Sequence, residues 1–159
     1  MNAIETPAGS LTYRELDERA ARVRIGAPRV AIALPPGLEF AIALRACLRA
    51  GVEAVPVDLR EPQWRVAGAG QVIERLEAGP QVAGDGFGLV VHTSGTTGVP
   101  KPVTLTLANV QANSDAVCAV IEPGRWLCPL PLSHIGGLMV LLRSWLTGTT
   151  AVLGPADTP

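Results

Sequence analysis

Runs of apolar residues alternate with polar residues along the chain and predict strands and helices in turn. Residues 30–34 are a short continuous apolar run, which is typical of a strand buried on both faces, and residues 52–57, apolar except for Glu53, predict a second strand. The stretch between them, Leu38–Ala50, is apolar around most of a helical wheel, and Gly51 follows it as a helix-terminating glycine would. A strand, a helix and a strand in about thirty residues predict a βαβ unit with parallel strands.

A second helix is predicted near the start of the chain. Thr12 and Glu15 have the spacing of a capping box, in which each residue satisfies a free backbone N–H of the other. Apolar residues then recur at helical spacing, at Tyr13, Leu16, Ala20 and Val23. Gly26 and Pro28 are expected to end this helix.

The remaining pattern completes an α/β arrangement. Glycine and proline are frequent in residues 78–88, which predicts a surface loop. Strands are predicted at 103–106, 125–128 and 149–153, and helices from residue 107 and over Ile135–Leu146. We therefore expect a mainly parallel sheet with helices on both faces. The predicted regions are 1–77 as a first βα region, 78–88 as a loop, and 89–159 as a region carrying the candidate chemistry.

The amino-acid composition limits which kinds of protein and partner are expected. The chain has 159 residues, of which 48% are hydrophobic and 17% are charged, so it can bury a sizeable core. Its net charge of −1 and its 4% aromatic content argue against a nucleic-acid or membrane-surface partner. Three cysteines without metal spacing predict buried free thiols in a reducing compartment. No signal peptide or spanning segment is recognised, so a cytoplasmic protein is expected.

The first candidate for chemistry is the Gly/Ser/Thr-rich stretch that follows the apolar pair Val90-Val91 and ends at Lys101. Glycines let a backbone approach a ligand closely, and successive N–H groups form a concave anion site. Hydroxyls can donate to phosphate oxygens or reach a magnesium ion, and lysine adds a mobile positive charge. The spacing differs from a Walker loop, because only two residues separate Gly95 and Gly98. A plain turn between two strands is the alternative.

The second candidate lies at the predicted start of the last helix. His134, Gly136 and Gly137 stand there, after a Pro-Leu-Pro-Leu-Ser stretch. Free N–H groups and the positive end of the helix dipole favour a carboxylate or a phosphate at such a position. The alternative is a histidine satisfied by the backbone at a tight turn.

The string TSGTTGVPK, from Thr93 to Lys101, resembles the phosphate-binding loop of the acyl-adenylate-forming (AMP-binding) enzymes. The stretches LTYRELDERA and LRACLRAG…VPVD resemble structural segments of the same family. The family loop usually ends Pro-Lys-Gly, and Pro102 replaces that glycine here. This resemblance implies that the loop holds the phosphates of ATP, with Thr96 also the candidate magnesium ligand. The implied phosphate-binding residues are Thr93, Ser94, Gly95, Thr96, Thr97, Gly98 and Lys101.

The string LPLSHIGGL is most similar to the o-succinylbenzoate–CoA ligases of menaquinone synthesis, and related strings occur in other acyl-CoA synthetases. In that family the segment borders the acyl pocket. The resemblance therefore implies that His134 orients the carboxylate or the adenylate, and that Gly136 and Gly137 face the acyl group.

Taken together, the resemblances imply the N-terminal portion of an ATP-dependent carboxylate–CoA ligase, a partial AMP-binding domain over 1–159. The implied ligands are ATP, Mg²⁺, a small carboxylic acid and CoA. No complete catalytic set is recognised, so the chain alone is expected to be inactive and to self-associate through uncovered surface. Two alternatives stay open. One is an adenylation domain that serves a carrier protein, and the other is a non-catalytic nucleotide-binding remnant.

Overall fold

The computed structural model describes residues 1–60, 68–93 and 101–154. This part of the chain contains nine strands and four helices. The strands are β1 (Asn2–Thr6), β2 (Gly9–Thr12), β3 (Arg29–Ile32), β4 (Glu53–Pro56), β5 (Gln71–Ile73), β6 (Gly88–Thr93), β7 (Lys101–Thr106), β8 (Trp126–Cys128) and β9 (Ala151–Leu153). The helices are α1 (Tyr13–Ala20), α2 (Leu38–Ala50), α3 (Leu107–Cys118) and α4 (Ile135–Leu146).

The α/β class is confirmed, and the strands are divided between two sheets. The four-stranded sheet has the order β2-β1-β9-β8, and the five-stranded sheet has the order β5-β3-β4-β6-β7. Among the strands of the described residues, only the β1–β2 and β6–β7 pairs are antiparallel. The other five pairs are parallel, so each needs a crossover connection. The predicted βαβ unit corresponds to β3, α2 and β4.

Helix α2 lies between the two sheets. It contacts β1 and β2 of one sheet and β3 and β4 of the other. Seven of its side chains are buried: Phe40, Ala41, Ile42, Ala43, Leu44, Ala46 and Cys47. A helix that is apolar nearly all round is expected in such a position. Gly51 ends it with a φ of 68°, which a residue with a Cβ rarely adopts.

The β1–β2 hairpin was not predicted, because residues 1–9 show only a two-residue apolar run, Ala3 and Ile4. The Thr6 hydroxyl accepts from Ala8 N at 3.2 Å and donates to Gly9 O at 3.0 Å, which closes the turn. On its other side β1 pairs with β9, with Ile4 opposite Ala151. The two strands at this position are far apart in the chain, so no local pattern could reveal the pairing.

The capping box at the start of α1 is confirmed. Thr12 Oγ1 accepts from Glu15 N at 3.2 Å, and Glu15 Oε2 accepts from Thr12 N at 2.8 Å. The next residue, Tyr13, places its hydroxyl 2.8 Å from Ser144 O and 2.6 Å from Thr149 O. This phenol therefore joins α1 to the connection between α4 and β9.

The predicted extent of the first helix was wrong. Helix α1 ends at Ala20, well before Gly26. The backbone beyond it finds partners elsewhere, because Arg24 N donates to Glu77 O at 2.7 Å and Ile25 N donates to Pro80 O at 3.1 Å. Residues 23–25 thus lie in extended contact with part of the predicted 78–88 loop. Val23 is still buried, as its apolar character predicts.

No helix in the described ranges is both long enough and apolar enough to cross a lipid bilayer.

Candidate functional site

The predicted phosphate loop connects the two strands of a hairpin. Strands β6 and β7 pair from Gly88 opposite Thr106 to Thr93 opposite Lys101. At the last pair, Thr93 Oγ1 donates to Lys101 O at 3.3 Å. Thr93 and Lys101 are exposed, whereas Ser94, Gly95, Thr96, Thr97 and Gly98 lie outside the described residues. The two ends of the loop, Thr93 and Lys101, are therefore defined as a cross-strand pair of exposed residues.

Pro102 lies inside β7, opposite His92. Strand β7 is at the edge of the five-stranded sheet. An edge strand tolerates proline, because its missing N–H can face away from the neighbouring strand. The replacement of the family's glycine by proline therefore fits a strand that begins at Lys101.

The second predicted site lies at the start of α4. His134 is the N-cap residue, with an extended backbone and an exposed side chain that makes no capping bond. Its backbone N–H donates to Pro131 O at 3.2 Å, which closes a tight turn. The structure thus provides the turn that the alternative interpretation predicted, but it leaves the imidazole available.

The two glycines that follow are packed against this turn. A Cβ on Gly137 would lie 2.4 Å from Pro131 O and 2.8 Å from Leu130 O. A Cβ on Gly136 would lie 2.7 Å from Leu130 Cδ1. Backbone packing therefore accounts for glycine at position 137, whereas at position 136 only the end of the Leu130 side chain opposes a Cβ. The predicted contact of these glycines with an acyl group stays a prediction.

A cavity of about 370 Å³ lies beside this turn. Residues that follow β3 and β4 in one sheet, and β8 and β9 in the other, line it. The apolar part of the lining includes Leu34, Phe40, Val57, Leu132 and Leu153. Ligands of α/β proteins commonly bind outside the carboxyl ends of parallel strands, and the cavity has this location.

A buried carboxylate, Asp58, lies in the wall of the cavity. Asp58 is 7% exposed and follows β4. Arg60 holds it, because Nε donates to Oδ1 at 3.0 Å and Nη2 donates to Oδ2 at 2.9 Å. These bonds, with a smaller contribution from the charge of His134, keep the pKa of Asp58 well below its usual range. Asp58 is therefore a fixed negative charge at ordinary pH.

Asp58 also connects the two sheets at the site. Ser133 Oγ lies 3.5 Å from Asp58 Oδ2, and His134 is close enough to act on the carboxylate through its charge. Sequence reasoning treated Asp58 only as the end of a strand. The available indication was a carboxylate directly after a buried apolar run, where parallel strands present functional residues.

The end of the β6–β7 hairpin and Asp58 lie at the same end of the five-stranded sheet. Strands β4 and β6 are parallel neighbours, so Asp58 and Thr93 follow or end their strands at the same edge. Among the described residues that line the cavity, neither Thr93 nor Lys101 is included. The hairpin end and the cavity are thus adjacent features of one edge. In the described ranges no three His, Cys, Asp or Glu side chains are grouped as metal ligands, and Thr96 lies outside those ranges.

Comparison with known proteins identifies the relatives of this chain. The family described as "AMP-binding enzyme" matches residues 63–159. A probable 2-succinylbenzoate–CoA ligase of Mycobacterium tuberculosis is 36% identical over 125 residues, which are 77% of this chain and 31% of the relative. The pyochelin synthetase PchF of Pseudomonas aeruginosa is 33% identical over 146 residues, covering 68% of this chain and 8% of that protein.

Solved structures show the same fold. The o-succinylbenzoate coenzyme A synthetase of Bacillus subtilis, in complex with ATP and a magnesium ion, matches 96% of this chain with a TM-score of 0.78. The two are 27% identical, and the match covers 41% of that chain. The present chain therefore spans less than half the length of each of these three relatives.

Proposed function

The chain belongs to the AMP-binding enzyme family, and from this premise we propose that it is the N-terminal portion of an ATP-dependent carboxylate–CoA ligase. The reaction of such an enzyme joins a carboxylate to AMP with release of pyrophosphate, and then transfers the acyl group to the thiol of CoA. We propose residues 1–159 as part of the adenylation domain. The 2-succinylbenzoate–CoA ligases among its relatives support an organic acid as the substrate.

One observation carries the proposal. Asp58, after β4, and Ser133, after β8, line one cavity at the carboxyl ends of parallel strands, and Thr93 ends β6 at the same end of the five-stranded sheet. An anionic substrate needs hydrogen-bond donors and positive charge at such an edge. Thr93, Lys101 and the start of α4 supply donors and positive charge there.

We assign roles to the residues on this basis. Ser94, Thr96, Thr97 and Lys101 bind the β- and γ-phosphates of ATP, next to Thr93, and Gly95 and Gly98 shape the loop. Thr96 is the candidate ligand for Mg²⁺, which neutralises phosphate charge when bound. His134 orients the carboxylate or the adenylate, and Gly136 and Gly137 let the acyl group approach. Asp58 keeps the Ser133–His134 turn against the end of β4.

Activity of the chain by itself is expected to be low. Adenylation brings a carboxylate and the α-phosphate together, and electrostatic stabilisation of these two anions supplies much of the rate. Lys101 is the only lysine in the sequence, so it would have to serve both the phosphate chain and the reacting groups. We therefore expect nucleotide binding without rapid carboxylate-dependent pyrophosphate exchange.

The single lysine also gives a direct test. Amine acetylation of the intact chain, followed by mass spectrometry, reports on one side-chain amine and on the N-terminal amine as an internal reference. We expect MgATP or pyrophosphate to slow acetylation of Lys101 at least several-fold and to leave the N-terminal amine unchanged. Calorimetric titration with MgATP should show binding that Lys101→Ala and Thr96→Ala each abolish.

Matched variants separate charge from fold. Lys101→Arg keeps the positive charge and should retain part of the binding, whereas Lys101→Met keeps only the apolar stem. Arg125→Ala removes a cation whose partner, Glu5, lies in the four-stranded sheet, and it should bind MgATP normally. A folded wild-type chain that neither binds MgATP nor protects Lys101 would instead support the non-catalytic remnant.

A carrier-dependent adenylation domain is the second candidate, and the match to the pyochelin synthetase favours it. The reading frame distinguishes the two candidates. A carrier-protein segment encoded after this sequence would support the synthetase, whereas its absence from a complete ligase-length frame would support the CoA ligase.

We also propose self-association through exposed apolar side chains. Leu127, Leu130 and Ile135 are more than one third exposed, and Leu127 stands opposite Val152 on the outer surface of the four-stranded sheet. Parallel strands are normally covered on both faces. Sedimentation should show a mass that rises with concentration, and Leu127→Lys should reduce that rise.

A further inference from the structure

The cavity beside the start of α4 is mainly apolar. Leu59, which follows Asp58, and Leu130, which lies just after β8, both line it, and both are more than half exposed. Phe40 and Leu132 also line it and are almost completely buried, so they lie deeper. The cavity is therefore a cleft with an apolar floor and two large apolar side chains at its rim, open to a ligand from solvent.

The polar groups of the cavity wall bind one another. Arg60 holds both oxygens of Asp58, and Ser133 Oγ lies 3.5 Å from the same carboxylate. Cys128 Sγ donates to Leu130 O at 3.4 Å. Among the described residues that line the cavity, Arg60, Ser133 and Cys128 are the three whose side chains carry a donor. Each of them already has an acceptor within the chain.

The charges indicate how an acid would be oriented in the cleft. The side chain of Arg60 is 77% exposed and that of Asp58 is 8% exposed, so the guanidinium lies at the mouth and the carboxylate lies deeper in the wall. His134 is also exposed, at the start of α4. A carboxylate ligand thus meets positive charge and helix N–H groups at the mouth, and a negative charge further in. We expect its apolar body to enter first.

The volume limits the size of that body. At about 370 Å³ the cavity is near the lower end of the range for pockets that hold a small organic ligand, about 300–1,000 Å³. An engineered protein cavity of about 150 Å³ is large enough for benzene. One ring with a short chain therefore fits this cavity, whereas a long alkyl chain would leave much of its length in solvent.

A second carboxylate on the body of the acid would be unfavourable inside the cleft. It would lose its hydration there, and the donor side chains named above are engaged with acceptors of the chain. It would also come close to Asp58, and like charges at short distance repel each other. An uncharged body has neither cost.

We propose that this cavity takes the uncharged apolar body of a monocarboxylic acid, about the size of one ring with a short chain, and excludes acids with a second carboxylate. The proposal rests on the proposed function, because it assigns the cavity to the acid that is adenylated. 2-Succinylbenzoate, which appears in the names of several relatives, carries two carboxylates and is therefore expected to bind poorly to this chain.

The test uses two acids that differ by one carboxylate. 4-Oxo-4-phenylbutanoate is 2-succinylbenzoate without its ring carboxylate. Unfolding of the intact chain is followed in each acid at equal ionic strength and pH 7, because a ligand that binds only the folded state lowers the unfolding constant by the factor 1 + [L]/Kd. We expect the Kd of the monocarboxylate to be lower by about tenfold or more, since the second carboxylate would be buried without donors.

Two variants locate the binding in the cavity. A Cβ on Gly154 would lie 3.9 Å from Cys128 O, an ordinary contact, so Gly154→Leu should fold, fill part of the cavity and weaken binding of the monocarboxylate about tenfold or more. Asp58→Asn removes the negative charge from the wall and should strengthen binding of 2-succinylbenzoate several-fold. Asp17→Asn breaks the ion pair with Arg45 and is the matched control, which should bind both acids like the wild type.

The comparison of the two acids on the wild-type chain does not depend on the variants. Tighter binding of 2-succinylbenzoate, no saturable response to either acid, or a folded Gly154→Leu chain that binds as the wild type does would each overturn the proposal. Titration of the same samples with MgATP decides the proposed function separately. A chain that binds MgATP and prefers the dicarboxylate would refute the choice of acid alone.

Discussion

Substitution of Gly137 by alanine tests the packing at the start of α4. Two opposing effects are expected at this position. Alanine is favoured over glycine inside a helix by about 1 kcal/mol. Against this, its Cβ would lie 2.4 Å from Pro131 O and 2.8 Å from Leu130 O, up to about 1 Å closer than ordinary contact. Both obstacles are backbone atoms, so the turn itself would have to move.

The magnitude follows from the contacts that such a movement disturbs. Overpacking of this kind typically costs about 1–3 kcal/mol. Displacement of Pro131 O also weakens the 3.2 Å hydrogen bond from His134 N, which contributes about 1 kcal/mol. The gross cost is therefore about 2–4 kcal/mol, and the helix preference of alanine reduces it to about 1–3 kcal/mol of lost unfolding free energy.

Gly136→Ala is the matched control. It has nearly the same position in the helix, but its Cβ would meet only Leu130 Cδ1, the end of an exposed side chain that can adopt another rotamer. Urea unfolding followed by circular dichroism should show Gly136→Ala within about 1 kcal/mol of the wild type. Gly137→Ala should unfold at clearly lower urea with an unchanged slope. If Gly137→Ala proved as stable as Gly136→Ala, the packing argument would be refuted.

Two further predictions concern titrating groups. Burial raises the pKa of Tyr13, the only tyrosine, to about 12. Absorbance at 295 nm should therefore show a phenolate midpoint near that pH in the folded chain. Because the unfolded phenol ionises near pH 10, the free energy of unfolding should fall as pH rises from about 10 to 12, and a Tyr13→Phe variant should lack this fall. Burial raises the pKa of Cys47 to about 12 and also raises the pKa of Cys128, whereas Cys118 is only half-buried. A thiol reagent at pH 8 should therefore modify one cysteine per folded chain, at Cys118, and all three cysteines in urea. Rapid modification of Cys47 in the folded chain would contradict the structure.

Helices with clear boundary residues were predictable from the sequence. The ends of α2 and α4 agree with the predictions because Gly51 and Gly148 follow them and Gly37 and His134 precede them. The capping box at Thr12 likewise depends only on residues that are close in sequence. These features depend on residues within one or two helical turns, and the sequence contains all the information they need.

Pairing between distant segments was not predictable from local patterns. Val23 continues the helical spacing of α1, yet the chain there pairs with residues near Ala78, because backbone N–H groups find carbonyl partners in that segment. The division into two sheets depends on β1 meeting β9. Neither contact changes the hydrophobic periodicity of the segments that form it.

The residues of the candidate site were likewise predictable only where a local sequence pattern identified them. His134 and Lys101 were identified from their strings, and the structure places them at a helix start and at a hairpin end. Asp58 was not identified, because its importance comes from Arg60 and Ser133, and Ser133 is distant in sequence. The roles proposed for Ser94, Gly95, Thr96, Thr97 and Gly98 rest on the family resemblance and stay predictions.

The pairing of β1 with β9 has a consequence for the order of events during synthesis. Ile4 leaves the ribosome first, and its partner Ala151 follows after nearly the whole described chain. At typical translation rates of about 5–20 residues per second, this interval is about 7–30 s. During that time β1 can pair with β2 alone, and its other edge stays open to unwanted strand pairing. The four-stranded sheet is therefore completed late, and the nascent chain depends on protection of that edge until β9 arrives.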